Sequence, residues 1–79
     1  MSKQDKLLAK VLSGKSDAAI RFGDLCALLT QLGFTLRVRG SHHYFSKEGF
    51  DHINLQAAGK DAKPYQVKQV REILQRGEV

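Results

Sequence analysis

The stretch Phe34-Thr35-Leu36-Arg37-Val38-Arg39-Gly40-Ser41-His42-His43-Tyr44-Phe45 decides the fold. Phe34, Leu36 and Val38 alternate with Thr35, Arg37 and Arg39, which is the period of a half-buried strand. Gly40-Ser41 then fits a two-residue hairpin loop, because glycine at the first central position accepts the positive φ of a type II′ turn. A second strand is expected over 42–47. That loop sets Arg39 opposite His42, Val38 opposite His43, Arg37 opposite Tyr44 and Leu36 opposite Phe45, with successive pairs on opposite faces of the sheet. The Leu36/Phe45 and Val38/His43 pairs are expected to cover the core. The Arg39/His42 and Arg37/Tyr44 pairs are expected to look outward.

Upstream of the hairpin, Phe22, Leu25, Leu29 and Leu32 recur at spacings of three and four, which predicts a helix over about 23–32. Gly33 stands where a left-handed cap residue ends such a helix. Further back, Ser13-Gly14-Lys15-Ser16-Asp17 reads as a turn. It follows an amphipathic helix over 3–12, with Leu7, Leu8, Val11 and Leu12 on one side and Lys3, Lys6 and Lys10 on the other. Downstream, Gly49 marks a turn, and a short strand over about 52–56 points Ile53 and Leu55 inward and His52, Asn54 and Gln56 outward. Residues 57–63 read as a polar loop, and Pro64 suits the first turn of a last helix, where its missing N–H costs nothing. That helix points Val67, Val70, Ile73 and Leu74 inward and Lys68, Arg71, Glu72 and Arg76 outward. The expected fold is α+β: an extra N-terminal helix, then α-β-β-β-α, with a three-stranded antiparallel sheet carrying two helices on one face. Residues 1–18 form the helical extension and turn, and 19–79 the domain proper.

Size and composition bound what this fold can do. A chain of 79 residues has room for one domain. Its 13 Lys and Arg against 8 Asp and Glu give a charge of +5, a field that favours polyanions or an acidic protein partner. The single Cys26 cannot form an internal disulfide, and no secretory signal pattern opens the sequence, so a reducing cytoplasm is the expected compartment. The apolar cluster at 25–29 is far short of the roughly 20 residues that cross a bilayer, so no membrane is expected as a partner.

The outward face gathers Arg37, Arg39, His42, Tyr44 and Asn54, which the core does not need. Cleaving RNA without a metal requires a base for the 2′-hydroxyl proton, an acid for the leaving 5′-oxygen and cations around the crowded phosphate. His42 is the candidate for proton transfer, and Arg37 and Arg39 are candidates for the phosphate. Backbone N–H groups of Gly40 and Ser41 are further donors. Tyr44 lies on the same face, and Lys60, Lys63 and Lys68 are candidates for the RNA backbone. The plain alternative is that adjacent histidines in a hairpin are polar strand residues without a task. For His43, pointing inward beside Val38, a structural role is expected, as it is for Cys26. His42, His43, His52 and Cys26 lack the spacing of a zinc site, and Asp24, Glu48, Asp51, Asp61 and Glu72 are scattered. Neither a metal nor a small-molecule cofactor is therefore expected. Gly14-Lys15-Ser16 lacks the upstream glycine and preceding strand of a phosphate loop.

Several segments together carry a family resemblance. Leu32-Gly33-Phe34, the hairpin 37–45, Asn54-Leu55-Gln56 and Ala62-Lys63-Pro64-Tyr65-Gln66-Val67-Lys68-Gln69-Val70 resemble the HicA family of toxins over about residues 19–75. The resemblance implies a double-stranded-RNA-binding-like α-β-β-β-α fold. It implies an mRNA endoribonuclease that inhibits translation in stress responses and is neutralised by a cognate HicB-type antitoxin. It also implies that His42, in the Gly-Ser-His turn, is catalytic and that Gly40 is needed for activity. Many members follow the third strand with a Pro-containing, His-bearing segment and start the last helix with Gly-Thr. This chain has Gln56-Ala57-Ala58-Gly59 and Lys63-Pro64-Tyr65 at those places. Two other readings stay open: a non-catalytic RNA-binding domain of the same fold, and a protein-interaction module whose basic face docks an acidic partner.

Overall fold

The hairpin forms with the expected register. In the computed structural model, which describes residues 3–57 and 59–77, β1 (Thr35–Arg39) pairs antiparallel with β2 (His42–Ser46). The partners are Arg39↔His42, Val38↔His43, Arg37↔Tyr44, Leu36↔Phe45 and Thr35↔Ser46. Gly40 has φ +59 and, among the described residues, only glycines have positive φ, so only the first central residue of the loop is left-handed, as a type II′ turn requires. β3 (Ile53–Gln56) pairs with β2 on its other side, giving a three-stranded antiparallel sheet in the order β1-β2-β3.

The rest of the chain wraps one face of this sheet. α1 (Lys3–Ser13), a short 3-10 helix (Asp17–Ala19) and α2 (Phe22–Gln31) precede it, and α3 (Pro64–Arg76) follows it. α2 ends in a Schellman arrangement: Phe34 N–H donates to the Leu29 carbonyl at 3.0 Å and Gly33 N–H to Thr30 at 3.0 Å, with Gly33 at φ +100. That cap turns the chain directly into β1 and buries Phe34 with Leu29 in the core. The core joins Phe22, Leu25, Leu28 and Leu29 of α2 to Phe45, Ile53 and Leu55 of the sheet and Val67, Val70 and Ile73 of α3. The α+β order and the two helices on one sheet face agree with the sequence reading.

Four details differ from it. Leu36 and Val38 were expected in the core but are 38% and 54% exposed. Alternation places them on the inner face correctly, but β1 is an edge strand, and the buried helix residues close over β2 and the other edge strand, β3, without covering it. Arg71 was expected to face solvent. It is instead partly buried and clamps three elements, donating to Asp17 carboxylate oxygens at 2.9 and 3.2 Å and to the Val11 carbonyl at 3.2 Å. α1 is thereby part of the fold, with Val11 buried in the common core and Leu7 and Leu8 packed against it. The expected polar loop over 57–63 also contributes to the core through Ala62. Its backbone pairs with the segment before α2: Ala62 N–H donates to Ile20 at 2.8 Å, and Phe22 N–H donates to Lys60 at 3.0 Å. Ala58, within that loop, lies outside the described residues.

Four outcomes follow from this packing. Gly40→Ala is expected to lower unfolding free energy by roughly 1–2 kcal/mol, because an L-residue is strained at positive φ even where open space surrounds it. Gly23→Ala, on the exposed start of α2 with nothing near its added methyl, should raise it by about 0.4–1 kcal/mol, both read by urea denaturation. Asp17→Asn should speed amide exchange over α1 while the sheet stays protected, because the charge-assisted fork from Arg71 is lost. Burial pushes the Cys26 thiol up to about 11, so iodoacetamide should label the native protein slowly near neutral pH and faster as pH approaches that value.

Candidate nucleic-acid interface

Sheet parity separates the two histidines. Phe45, Ile53 and Leu55 are buried on the inner face, and His43, which pairs with Leu55 and Val38, shares it. His43 is half-buried and meets the Phe22 ring edge-on, centroid to centroid 4.9 Å. His42 pairs with Arg39 on one side and Gln56 on the other, on the face that no helix covers. The next row outward-facing in the same sense is Arg37, Tyr44 and Asn54. His42 and Tyr44 stack with centroids 6.0 Å apart and planes at 21°.

The outer face is therefore a grid of side chains with two arginines, an imidazole, a phenol, amides and hydroxyls. None of Thr35, Arg37, Arg39, His42, Tyr44, Ser46, Asn54 or Gln56 is acidic. With no carboxylate among them to neutralise Arg37 and Arg39, the face presents uncompensated positive charge to solvent, the arrangement that attracts phosphate. An open hollow of about 440 Å³ lies on it, bordered by Thr35, Arg37, Tyr44, Ser46, His52 and Asn54.

The expected site residues do not all meet there. Arg37, Arg39, His42 and Tyr44 share the outer face, and Gly40 and Ser41 form the turn at its end. Lys60 and Lys63 belong to the segment between β3 and α3, which leaves the sheet beside that turn, where Ala57 N–H donates to the Ser41 carbonyl at 2.9 Å. Lys63 precedes α3, and its ammonium sits 5.9 Å from the Tyr65 ring centroid. Lys68 is exposed on α3, which packs against the opposite side of the sheet, so the fold does not bring it to His42. His52 reaches the same face as His42. It lies two rows away, about 14 Å along the strands at the rise of an extended chain, too far for both imidazoles to serve one phosphate.

Sequence reading did not single out Gln66. It is 2% exposed in the first turn of α3, and its side-chain N–H donates to the Gln56 carbonyl at 3.4 Å. Its Oε1, with Nδ1 of His42 and Nδ1 of His43, is buried without a hydrogen-bond partner. All three atoms lie at the hairpin end of the sheet. A glutamine in a helical i, i+4 apolar row beside Val67 and Val70 was the signal available, but it reads as a surface residue until the backbone of β3 is placed against it. Among the described residues, no group of three or more His, Cys, Asp or Glu side chains is gathered for a metal ion.

A family model described as HicA toxin of bacterial toxin-antitoxin matches residues 22–76, from the start of α2 to the end of α3. No curated protein and no solved structure matches the chain. The matched span contains the whole outer face, both histidines of the hairpin and Gln66.

Proposed function

This chain belongs to the HicA toxin family, and on that premise we propose that it acts as an endoribonuclease, cleaving mRNA and so inhibiting translation. Its family role is that of the toxin in a toxin-antitoxin pair, with a cognate antitoxin as partner. The observation that carries the nuclease reading is the placement of His42 between Arg39 and Gln56 on an open sheet face free of carboxylates.

In the proposed reaction the 2′-oxygen of a ribose attacks the adjacent phosphorus and the 5′-oxygen of the next nucleotide leaves. The products are a 2′,3′-cyclic phosphate and a free 5′-hydroxyl. His42 moves one of the two protons. Because its Nδ1 is shielded, Nε2 is the ring atom assigned to that transfer. Water supplies the other proton step. Arg39, directly opposite His42 at a Cα separation of about 5.5 Å, and Arg37 stabilise the negative charge that builds on the phosphate. Gly40 and Ser41 supply backbone N–H groups at the turn, Tyr44 offers a ring to stack on a base, and Lys60 and Lys63 continue the cationic track. Lys68 would contact only RNA that passes around the molecule. The protein's part needs no metal ion on this reading, since the cationic work falls to the arginines.

One observation favours a second reading. Among the described residues His42 has no second imidazole and no carboxylate beside it on its face: Gln56 stands opposite it, Tyr44 stacks on it, and His52 is two rows away. A domain with this face could bind RNA through phosphate and shape without cutting it.

Purified protein should cleave RNA in the presence of a chelator, and His42→Ala should reduce the rate by about 10²–10⁴-fold with folding intact. His43→Ala should cost stability instead and leave cleavage by the folded fraction. Arg37→Ala and Arg39→Ala should each weaken RNA binding and reduce its salt dependence by about one phosphate contact. Tight, salt-sensitive binding that leaves the RNA intact selects the second reading; cleavage that survives His42→Ala removes His42 from the chemistry.

A further inference from the structure

We propose that β1 is a docking edge for an extended acidic segment of a partner protein, which adds to the sheet as a fourth strand. Among the described residues, the strand order β1-β2-β3 leaves one side of β1 without a neighbouring strand. Because the two-residue turn makes Arg39 and His42 a hydrogen-bonded pair, Arg37 and Thr35 also direct their backbone groups toward β2. Leu36 and Val38 direct theirs outward. The same two residues carry the apolar side chains that the helices leave uncovered, 38% and 54% exposed.

An exposed edge of this kind is normally blunted by proline, a bulge or an inward charge. β1 has none of these. Its register is regular over all five residues, and its charges stand on the outer face, at Arg37 and Arg39. Those arginines decide which strand can add. In a second copy aligned antiparallel so that Leu36 meets Val38, Arg37 would stand opposite Arg37, and like charges directly opposed destabilise a pair. A partner strand with apolar residues on its inner side and Asp or Glu on its outer side meets both requirements at once. Its apolar residues cover Leu36 and Val38, its backbone satisfies theirs, and its carboxylates meet Arg37 and Arg39.

The proposal does not rest on RNA cleavage, and its test reads the edge directly. The probe is a short peptide alternating valine and glutamate, flanked by proline to block its self-association, titrated into the ¹⁵N-labelled full chain. A second peptide carries lysine for glutamate. The glutamate peptide is expected to shift the amides of 35–39 and to protect those of Leu36 and Val38 from hydrogen exchange. The lysine peptide should leave them unchanged. Val38→Glu should weaken docking about tenfold or more, and Val38→Thr, which keeps the strand former, should preserve the register and bind with intermediate strength. Three results overturn the proposal: no change at 35–39 with millimolar glutamate peptide, equal changes with both peptides, or the same changes on concentrating the protein alone, which makes a second copy the occupant. If RNA competes with the peptide, the edge and the phosphate site share Arg37 and Arg39; if RNA is never bound or cut but the peptide docks, the nuclease reading fails and the docking edge stands.

Discussion

The positive φ of Gly40 is the constraint from which the functional face descends. A two-residue turn permits one register, and in a sheet the register fixes the face of every side chain, so one dihedral angle separates His42 from His43. A loop longer or shorter by one residue would turn His42 toward Leu55 and bring His43 out beside Arg37. Gly33 plays the corresponding part upstream, ending α2 so that β1 starts in phase with the core. The two glycines bracket a strand whose arginines all point away from the helices.

Once parity is fixed, the electrostatics of the outer face follow from composition. Two of the chain's acidic residues are paired elsewhere: Asp17 holds Arg71, and Asp51 lies 3.4 Å from Arg76 on the surface. Because Asp17 neutralises Arg71 beneath α1, the arginine that the helical period would have assigned to solvent is withdrawn from any RNA contact. Arg37 and Arg39 remain as the uncompensated pair beside an imidazole. The charge of +5 is thus spread unevenly over the protein, and the sheet face holds the part of it that is organised around a titratable group.

What the sequence made legible was whatever depends on local period and turn chemistry. The II′ turn, the cap at Gly33, the proline at the start of α3 and the pairing of Leu36, Arg37, Val38 and Arg39 with Phe45, Tyr44, His43 and His42 all follow from residue type at fixed offsets, and the structure has them. Period does not say whether a second layer extends far enough to cover a face. Leu36 and Val38 have the correct parity and yet lie in the open, because coverage is a property of how α2 and α3 sit over β2 and β3. Arg71, Ala62 and the 3-10 helix at Asp17–Ala19 were missed for a related reason: each is set by a partner distant in sequence, such as Asp17 to Arg71 or Ile20 to Ala62. For the site, the face of His42 was legible, whereas the burial of Gln66 against Gln56 was not.

The polar atoms at the hairpin end bear on what that end is for. A buried polar group without a partner costs on the order of 1–3 kcal/mol, and the structure places Nδ1 of His42, Nδ1 of His43 and Oε1 of Gln66 in this condition at one end of the sheet. Stability alone would favour an apolar side chain at His43, between Val38 and Leu55 and against the Phe22 ring, and another at Gln66, beside Val67. The apolar packing kept by Phe45 and Ile53 one inner row away gives way to polar groups in the row next to the turn that carries His42. Departures from local consistency concentrate where a protein does its work. Their position supports a functional hairpin on grounds independent of the charge on the outer face.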